Sequence, residues 1–327
     1  MWHVWIVLPA VFLTAVVTAA GVFFTVWALL GSQGLKPESQ LTAKTLFDLV
    51  KLSFGVVAGA GALVALVVAY RRQRVDENAA LRDATRLHTE RFTTAVSQLG
   101  QESAAVRLGG VHALAGLSDD APTRALRQTC IDVLCAYLRL PYTTEVDLPP
   151  DDMEARHAYQ ALREVRHTII RLIRDHPHSW QGHDLDFTGV AFDGGDLSHA
   201  TFSGGTVRFT GASFFGCTVD FTGATFSGGT TDFAGATFSG GTVDFLDATF
   251  SSSTVVHFRA TFSGGTVYFT GVPFAGGMVD FTGATFSGGA VDFTDARGDS
   301  PRGLVPRPRE PMPVGLALPS AWHPDSP

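Results

Sequence analysis

The sequence predicts an α+β protein with several units: two membrane-spanning helices, an α-helical connector and a solenoid of short β-strands. Two long uncharged runs occupy much of the first 70 residues, and apolar side chains at three- and four-residue spacing follow them. A 12-residue repeat fills most of the last third, and internal periods of this kind indicate stacked repeats. The predicted units are a membrane anchor over 1–75, a connector over 76–182, a β-solenoid over 183–296 and a proline-rich tail over 297–327.

The membrane anchor is predicted from uncharged runs at about 4–30 and 52–70. Each run is long enough to cross a hydrocarbon core of about 30 Å as an α-helix. A cleaved signal peptide explains the first run less well, because no Lys or Arg precedes the run and no small-residue cleavage site closes it. The anchor is therefore expected to be multi-pass, with both helices retained in the cell membrane.

Basic residues near the second run predict the orientation of the anchor. Five arginines lie between residues 71 and 86, whereas the predicted loop between the runs contains three lysines. Because basic residues favour the cytoplasmic side, we expect the C-terminal region to be cytoplasmic. Gly55, Gly59 and Ala62 place small residues on one helix face, which favours close packing on the first helix or a homodimer through the second. The end of the solenoid is a second possible homodimer contact.

The connector is predicted to be helical because its apolar residues form stripes at helical spacing. The pattern between residues 91 and 117 divides into two short helices with a break at Gly100 to Glu102. Two longer amphipathic helices follow, and the second is expected to end before Pro177. Their stripes consist of Leu126, Cys130, Ile131, Leu134, Tyr137 and Leu138 in one helix, and Leu162, Val165, Ile169 and Ile173 in the other.

The sequence contains none of the common signatures of catalysis. It has no phosphate-binding GxxxxGK[ST] loop, no GxSxG elbow and no HExxH motif. The histidines of the connector lack metal-ligand spacing, and Cys130, Cys135 and Cys217 are expected to be buried free thiols in a reducing compartment. We therefore expect a non-catalytic protein without a cofactor or a metal.

The repeat predicts which side chains face the core of the solenoid. After Phe202 the phenylalanines follow at alternating steps of seven and five except at position 257, and the residue two before each is mostly Val and Ala in alternation. Residues i−2 and i share one face of a strand, so each Phe and its small partner face inward, and Asp or Thr faces outward. The predicted core is Phe202, Phe209, Phe214, Phe221, Phe226, Phe233, Phe238, Phe245, Phe250, Phe262, Phe269, Phe274, Phe281, Phe286 and Phe293.

Two features depart from the regular repeat. His257 lies where the period expects Phe, and a local bulge is expected to turn Phe258 inward instead. The tail has eight prolines in 31 residues and no apolar period, which predicts disorder.

Units such as residues 200–204, ATFSG, resemble pentapeptide repeats. The connector segments RFTTAVSQLGQESAAVRLGGVHALAGL and QTCIDVLCAYLRLPY also resemble a block beside the membrane anchor of many bacterial pentapeptide-repeat membrane proteins. The resemblance implies a right-handed, four-sided parallel β-helix with Phe or Leu stacked in its core. Two-residue insertions at alternate corners depart from the family pattern and lengthen each four-sided coil to 24 residues.

A 24-residue coil aligns aspartates along the solenoid. Asp196, Asp220, Asp244 and Asp292 are expected on one side, with Asp232 and Asp280 on the opposite side. Tyr268, Arg208 and Val256 are expected to interrupt these rows.

The acidic rows lead to a functional expectation. Residues 183–296 contain 11 Asp against two Arg, which argues against direct nucleic-acid binding. We expect an interaction scaffold whose acidic side either binds an unknown protein partner or only keeps the rod soluble. The alternative, from the resemblance, is an acidic DNA mimic that binds a type II topoisomerase or another DNA-binding protein.

Overall fold

The computed structural model describes residues 42–176, 178–306 and 311–323, together with scattered helical residues between 13 and 28. The predicted first membrane span, 4–30, lies outside the described residues except for those scattered positions. The chain divides into two compact units, Met1–Ala84 and Thr85–Pro327. A helical N-terminal region precedes a parallel β-solenoid of about five turns.

Within residues 42–176, four α-helices precede the solenoid, and capping side chains lie at the starts of two of them. Thr123 Oγ1 accepts a hydrogen bond from the Leu126 N–H, and Asp152 Oδ1 accepts one from the Ala155 N–H at 2.9 Å. The helices are α1, Ala43–Leu99; α2, Ala104–Asp119; α3, Arg124–Leu138; and α4, Met153–Asp175. Short 3₁₀ turns occupy Glu145–Asp147 and Ser320–Trp322.

Helix α1 contains the predicted second membrane span, 52–70. Among the described residues it is the one helix long and apolar enough to cross a membrane. Large apolar side chains such as Phe54 and Leu66 are exposed along this segment. The helix continues without a break past the predicted boundary at residue 75, because neither Gly nor Pro interrupts residues 71–99.

The end of α1 packs with α2, α3 and α4 in a small helical bundle within the second unit. The predicted stripes are its core, with Leu126 and Leu162 half-buried and the other members buried. Gly110 allows α2 to approach α1 closely, since a Cβ there would lie 2.8 Å from the Ala95 carbonyl oxygen. The expected break at Gly100 to Glu102 separates α1 from α2.

The solenoid consists of short strands, β1 to β19, and their pairing is parallel throughout the described residues. Outward and inward side chains alternate along each strand. The strands are β1 Leu185–Asp186, β2 Ala191–Phe192, β3 Gly195–Asp196, β4 Thr201–Ser203, β5 Thr206–Arg208, β6 Ser213–Phe214, β7 Thr218–Asp220, β8 Thr225–Ser227, β9 Gly229–Asp232, β10 Thr237–Asp244, β11 Thr249–Phe250, β12 Thr254–His257, β13 Thr261–Tyr268, β14 Pro273–Phe274, β15 Met278–Asp280, β16 Thr285–Phe286, β17 Ala290–Asp292, β18 Arg297–Gly298 and β19 Leu316–Ala317.

Four columns of stacked apolar side chains fill the solenoid and define its four sides. The ring centroids of successive phenylalanines lie 4.6 Å apart at Phe209 and Phe233, and 5.9 Å apart at Phe250 and Phe274. All the predicted core phenylalanines are buried except Phe286, which is half-buried. Side 1 holds Phe187, Phe209, Phe233, Phe258 and Phe281; side 2 holds Phe192, Phe214, Phe238, Phe262 and Phe286; side 3 holds Leu197, Phe221, Phe245, Phe269 and Phe293; side 4 holds Phe202, Phe226, Phe250 and Phe274.

The register between strands follows the predicted steps. Phe192 pairs with Phe214, 22 residues later, whereas Phe214 pairs with Phe238, 24 residues later. The first coil is shorter because it contains one two-residue corner insertion, and each later coil contains two. Beyond the first turn the predicted 24-residue spacing holds except around His257, where it is 25 and then 23 residues, and at the closing segment.

The coil around His257 differs from the expectation. Phe258 is buried and stacks between Phe233 and Phe281, as predicted, at 4.6 and 4.7 Å. The extra residue lies in the Ser251–Ser253 corner rather than in a strand bulge, so His257 takes the outward position expected for Val256, which is buried. A corner shortened by one residue follows, where the Ala260 N–H donates to the Phe258 carbonyl, and it restores the register.

The predicted disorder of the tail is wrong for residues 297–306 and 311–323, which close the end of the solenoid. Strand β18 pairs with β14, and β19 pairs with β17. Trp322 is buried against Phe274 and Phe293, and its Nε1–H donates to the Gly298 carbonyl at 2.8 Å. The few apolar residues between the prolines provide enough buried surface to hold the segment in place. They are Leu304, Leu316, Leu318 and Trp322.

Candidate partner-binding face

Side 3 of the solenoid carries a row of outward carboxylates, interrupted once by Tyr268 and here called the acidic stripe. Val219 and Val243 face inward, and the aspartates that follow them face outward on neighbouring strands. Its members, in register from one coil to the next, are Asp196, Asp220, Asp244, Tyr268 and Asp292.

The carboxylates of the stripe also shape the corners of the coils. The Oδ1 atoms of Asp220 and Asp244 each accept a hydrogen bond at 2.8 Å from the backbone N–H two residues later. Asp292 makes the same bond to the Thr294 N–H at 2.8 Å. Within the described part of the chain, no donor contacts the second oxygen of these three carboxylates. One oxygen therefore stabilises the corner, and the other is free for a partner.

The middle of the stripe is electrostatically uncompensated. Burial, together with repulsion from Asp220, raises the pKa of Asp244 in spite of the hydrogen bond from the Leu246 N–H. Asp196 behaves differently because Arg174 pairs with it. Its pKa is lowered, since hydrogen bonds from Ser198 and Arg174 outweigh the effect of burial. The uncompensated part of the stripe thus begins at Asp220.

The opposite side 1 carries acidic and basic side chains in alternation at the equivalent positions. This mixed stripe contains the other two predicted site residues, Asp232 and Asp280. Burial would raise the pKa of Asp280, but hydrogen bonds from Thr282 and the nearby Arg302 and His257 lower it. Sequence reasoning recognised Arg208 but missed the other two basic neighbours, which the register reveals. The members in order are Asp186, Arg208, Asp232, His257, Asp280 and Arg302.

A buried ionic network, which the sequence analysis did not anticipate, joins α4 to the first coil. Asp193 is 4% exposed. It accepts hydrogen bonds from the hydroxyls of Tyr142 and Tyr159 and from Arg163 Nε, and His167 Nε2 lies 3.4 Å from its Oδ1. Burial alone would raise the pKa of Asp193, but these partners hold it well below the usual range. The only signal in the sequence is the four-residue spacing of Tyr159, Arg163 and His167, which places them on one face of α4.

Arg166, beside His167 on α4, also joins this helix to the first coil. Its guanidinium is buried, donating to the Leu138 carbonyl at 2.7 Å and to the Ala191 carbonyl at 2.6 Å. It also lies 4.2 Å from the centre of the Tyr142 ring. Burial lowers the pKa of Arg166. These contacts tie the C-terminal end of α3 and the first coil to one side chain, which makes the network a structural joint.

The described residues contain no group of three or more His, Cys, Asp or Glu side chains that could hold a metal ion. Burial raises the pKa of the Cys130 thiol to about 11 and that of Cys135 to about 12, so both remain protonated at neutral pH. Cys217 is exposed, contrary to expectation. The chemistry that this surface offers is therefore charge and hydrogen bonding at the acidic stripe.

Comparison with known proteins supports the repeat assignment. Residues 187–231 match the family model described as Pentapeptide repeats, in nine copies. No curated protein and no solved structure matches the chain. The matched segment covers most of the first two coils, and its phenylalanines occupy the columns described above. The chain therefore contains pentapeptide repeats, and the matched segment forms part of its parallel β-solenoid.

Proposed function

We propose that the protein is a membrane-anchored, non-catalytic scaffold that presents the acidic stripe to a basic segment of a partner protein on the cytoplasmic side of the membrane. The observation that carries the proposal is the difference between two sides of the same solenoid. Asp220 and Asp244 lie in register without a basic neighbour, whereas Asp232 and Asp280 flank His257.

The acidity of side 3 is not required by the fold. At the equivalent position on side 1, Arg208 and His257 replace aspartate, and the coil still closes in register. A mixture of acidic and basic side chains, as on side 1, would also keep the solenoid soluble, and it would avoid the repulsion between neighbouring carboxylates. A run of like charges is more useful for attracting and orienting a partner of opposite charge.

Anchoring is supported by α1 and by the sequence around it. The apolar segment 52–70 of α1 has the length and composition of a membrane span. The arginines that follow it favour the cytoplasmic side for everything C-terminal to the span.

A matched pair of variants tests the role of the stripe. Asp220→Asn with Asp244→Asn removes two charges from side 3, and Asp232→Asn with Asp280→Asn removes two from side 1. All four carboxylates make the same type of corner hydrogen bond, at 2.8 to 2.9 Å. Cross-linking in native membranes should lose a salt-sensitive partner band only in the side 3 variant. Equal loss in both variants, or in neither, would rule out the acidic stripe as the binding face.

The DNA-mimic alternative predicts a different result. A mimic of duplex DNA must reproduce two rows of phosphates, and the solenoid has one uncompensated acidic row, on side 3. The full chain, solubilised in detergent, can be added to a purified type II topoisomerase in a supercoiling assay. Inhibition that is lost in the side 3 variant would favour the alternative, and the absence of inhibition would favour another basic partner.

A further inference from the structure

The end of the apolar segment of α1 carries a compact group of cations. Arg71, Arg72 and Arg74 are exposed and follow Tyr70 on the same continuous helix. At about 1.5 Å per residue, their backbone positions lie within about 6 Å of Tyr70 along the helix axis. The headgroup layer of a bilayer is about 5–7 Å thick on each side of the hydrocarbon core. In a spanning helix, all three guanidinium groups would therefore lie among the lipid headgroups.

These arginines have no carboxylate partner within the described residues. The Glu77 carboxylate, one turn further on, accepts a hydrogen bond from Gln73 Nε2 at 2.9 Å. Asp76 follows Arg72 by four residues, but the two side chains do not form an ion pair. At the other end of the apolar segment, Lys51 lies 3.8 Å from the Asp48 carboxylate. Uncompensated positive charge is thus concentrated at one end of the segment.

Tyr70 fixes the depth of the group. The Arg74 guanidinium lies 5.7 Å from the centre of the Tyr70 ring. Tyrosine side chains favour the boundary between hydrocarbon and headgroups, so Tyr70 and Arg74 would be held together at that level. Guanidinium groups at this depth can donate two parallel hydrogen bonds to a phosphate.

We propose that Arg71, Arg72 and Arg74 bind the phosphate groups of anionic phospholipids and enrich such lipids around α1. The inference rests on the proposed membrane anchoring, and it adds a ligand class that the anchoring alone does not require. Neutral phosphatidylcholine also carries a phosphate, but its choline cation offsets the attraction. The preference is therefore for lipids with net negative charge.

The full chain, reconstituted in phosphatidylcholine bilayers, allows both the membrane anchoring and the preference for anionic lipids to be tested. Resistance to alkaline carbonate extraction reports anchoring. Spin-labelled phosphatidylglycerol and spin-labelled phosphatidylcholine then report, by electron paramagnetic resonance, which lipid is motionally restricted at the protein surface. We expect phosphatidylglycerol to be restricted about five-fold more strongly than phosphatidylcholine. Replacement of Arg71, Arg72 and Arg74 by Gln should abolish that preference.

The matched control replaces Arg82, Arg86 and Arg91 by Gln, which removes the same charge at least about 12 Å further along the helix. It should keep the preference. Glycerol phosphate added in solution should not abolish the preference of the unaltered chain, since a soluble anion lacks the fixed position of a headgroup. Loss of the preference on that addition would indicate a free-phosphate site instead. Full anchoring with equal restriction of both lipids would overturn only this inference, whereas extraction by carbonate would overturn the anchoring as well.

Discussion

Asp244 lies directly beside Asp220 on the neighbouring strand of side 3, and no cation separates them. Asp280, at the equivalent position of side 1, has His257 and Arg302 as neighbours instead. The pKa of Asp244 is raised and that of Asp280 is lowered. The same residue type at equivalent corners of two opposite sides thus lies in opposite electrostatic environments.

Substitution of these two aspartates should change stability in opposite directions. Because the folded-state pKa of Asp244 is above its unfolded value, the ionised group destabilises the fold at neutral pH, and that effect is relieved as pH falls through the raised pKa. Asp244→Asn should therefore stabilise the protein at pH 7 by about 0.5 kcal/mol or less, and 1 M salt should reduce the gain. Asp280 contributes stability above its unfolded pKa, which is lost as pH falls, so Asp280→Asn should be destabilising at pH 7. Thermal unfolding at pH 7 and pH 3 measures both, and shifts of the same sign would contradict the register argument.

The phenylalanine columns predict a large difference between inward and outward truncations. Phe233 is fully buried, with its ring 4.6 Å from both Phe209 and Phe258. Phe233→Ala should lower the free energy of unfolding by about 3–5 kcal/mol, because rings held on both sides cannot collapse into the cavity. Thr225→Ala, on the outward surface of side 4, should change it by less than about 0.5 kcal/mol. Chemical denaturation measures both, and equal losses would show that the inward assignment is wrong.

Periodicity was sufficient to predict the inward columns and the pairing of Asp220 with Asp244, because alternation and coil length are local properties of the repeat. The position of His257 was not predictable in the same way. One residue added at Ser251–Ser253 is offset by one removed after Phe258, and only strand pairing locates the two changes. The Asp193 network could not be predicted for another reason, because its partners lie 26 to 51 residues away in sequence. Tertiary contacts of that range leave no periodic signal.

The closing segment of the solenoid gives a third prediction. Trp322 covers the last rings of two columns, Phe274 and Phe293, and holds Gly298 by a hydrogen bond. Trp322→Ala should loosen the closing segment and expose these rings and the edge of β17 that β19 covers, and exposed edges favour association between copies. Hydrogen exchange should increase in residues 290–298, and sedimentation in detergent should show larger species. Val314→Ala is the control, because Val314 is 82% exposed in the same segment and should leave both readouts unchanged.

The joint between α4 and the first coil gives the last prediction. Asp193→Ala leaves Arg163 and two tyrosine hydroxyls without their shared acceptor, and loss of one partner from a buried ion pair costs about 3–5 kcal/mol. Because the folded-state pKa of Asp193 is lowered, its contribution is present above the unfolded value of about 4 and is lost as pH falls below that value. Asp186→Ala is the control, since Asp186 pairs with Arg139 at a more exposed position of the same coil and should cost about 1 kcal/mol or less. Thermal unfolding from pH 7 to pH 3 should show the difference between Asp193→Ala and the unaltered protein narrowing below about pH 4 without vanishing, because the lowered folded-state pKa keeps the carboxylate ionised. A constant difference for Asp193→Ala across that range would mean that packing, rather than the carboxylate charge, holds the joint together.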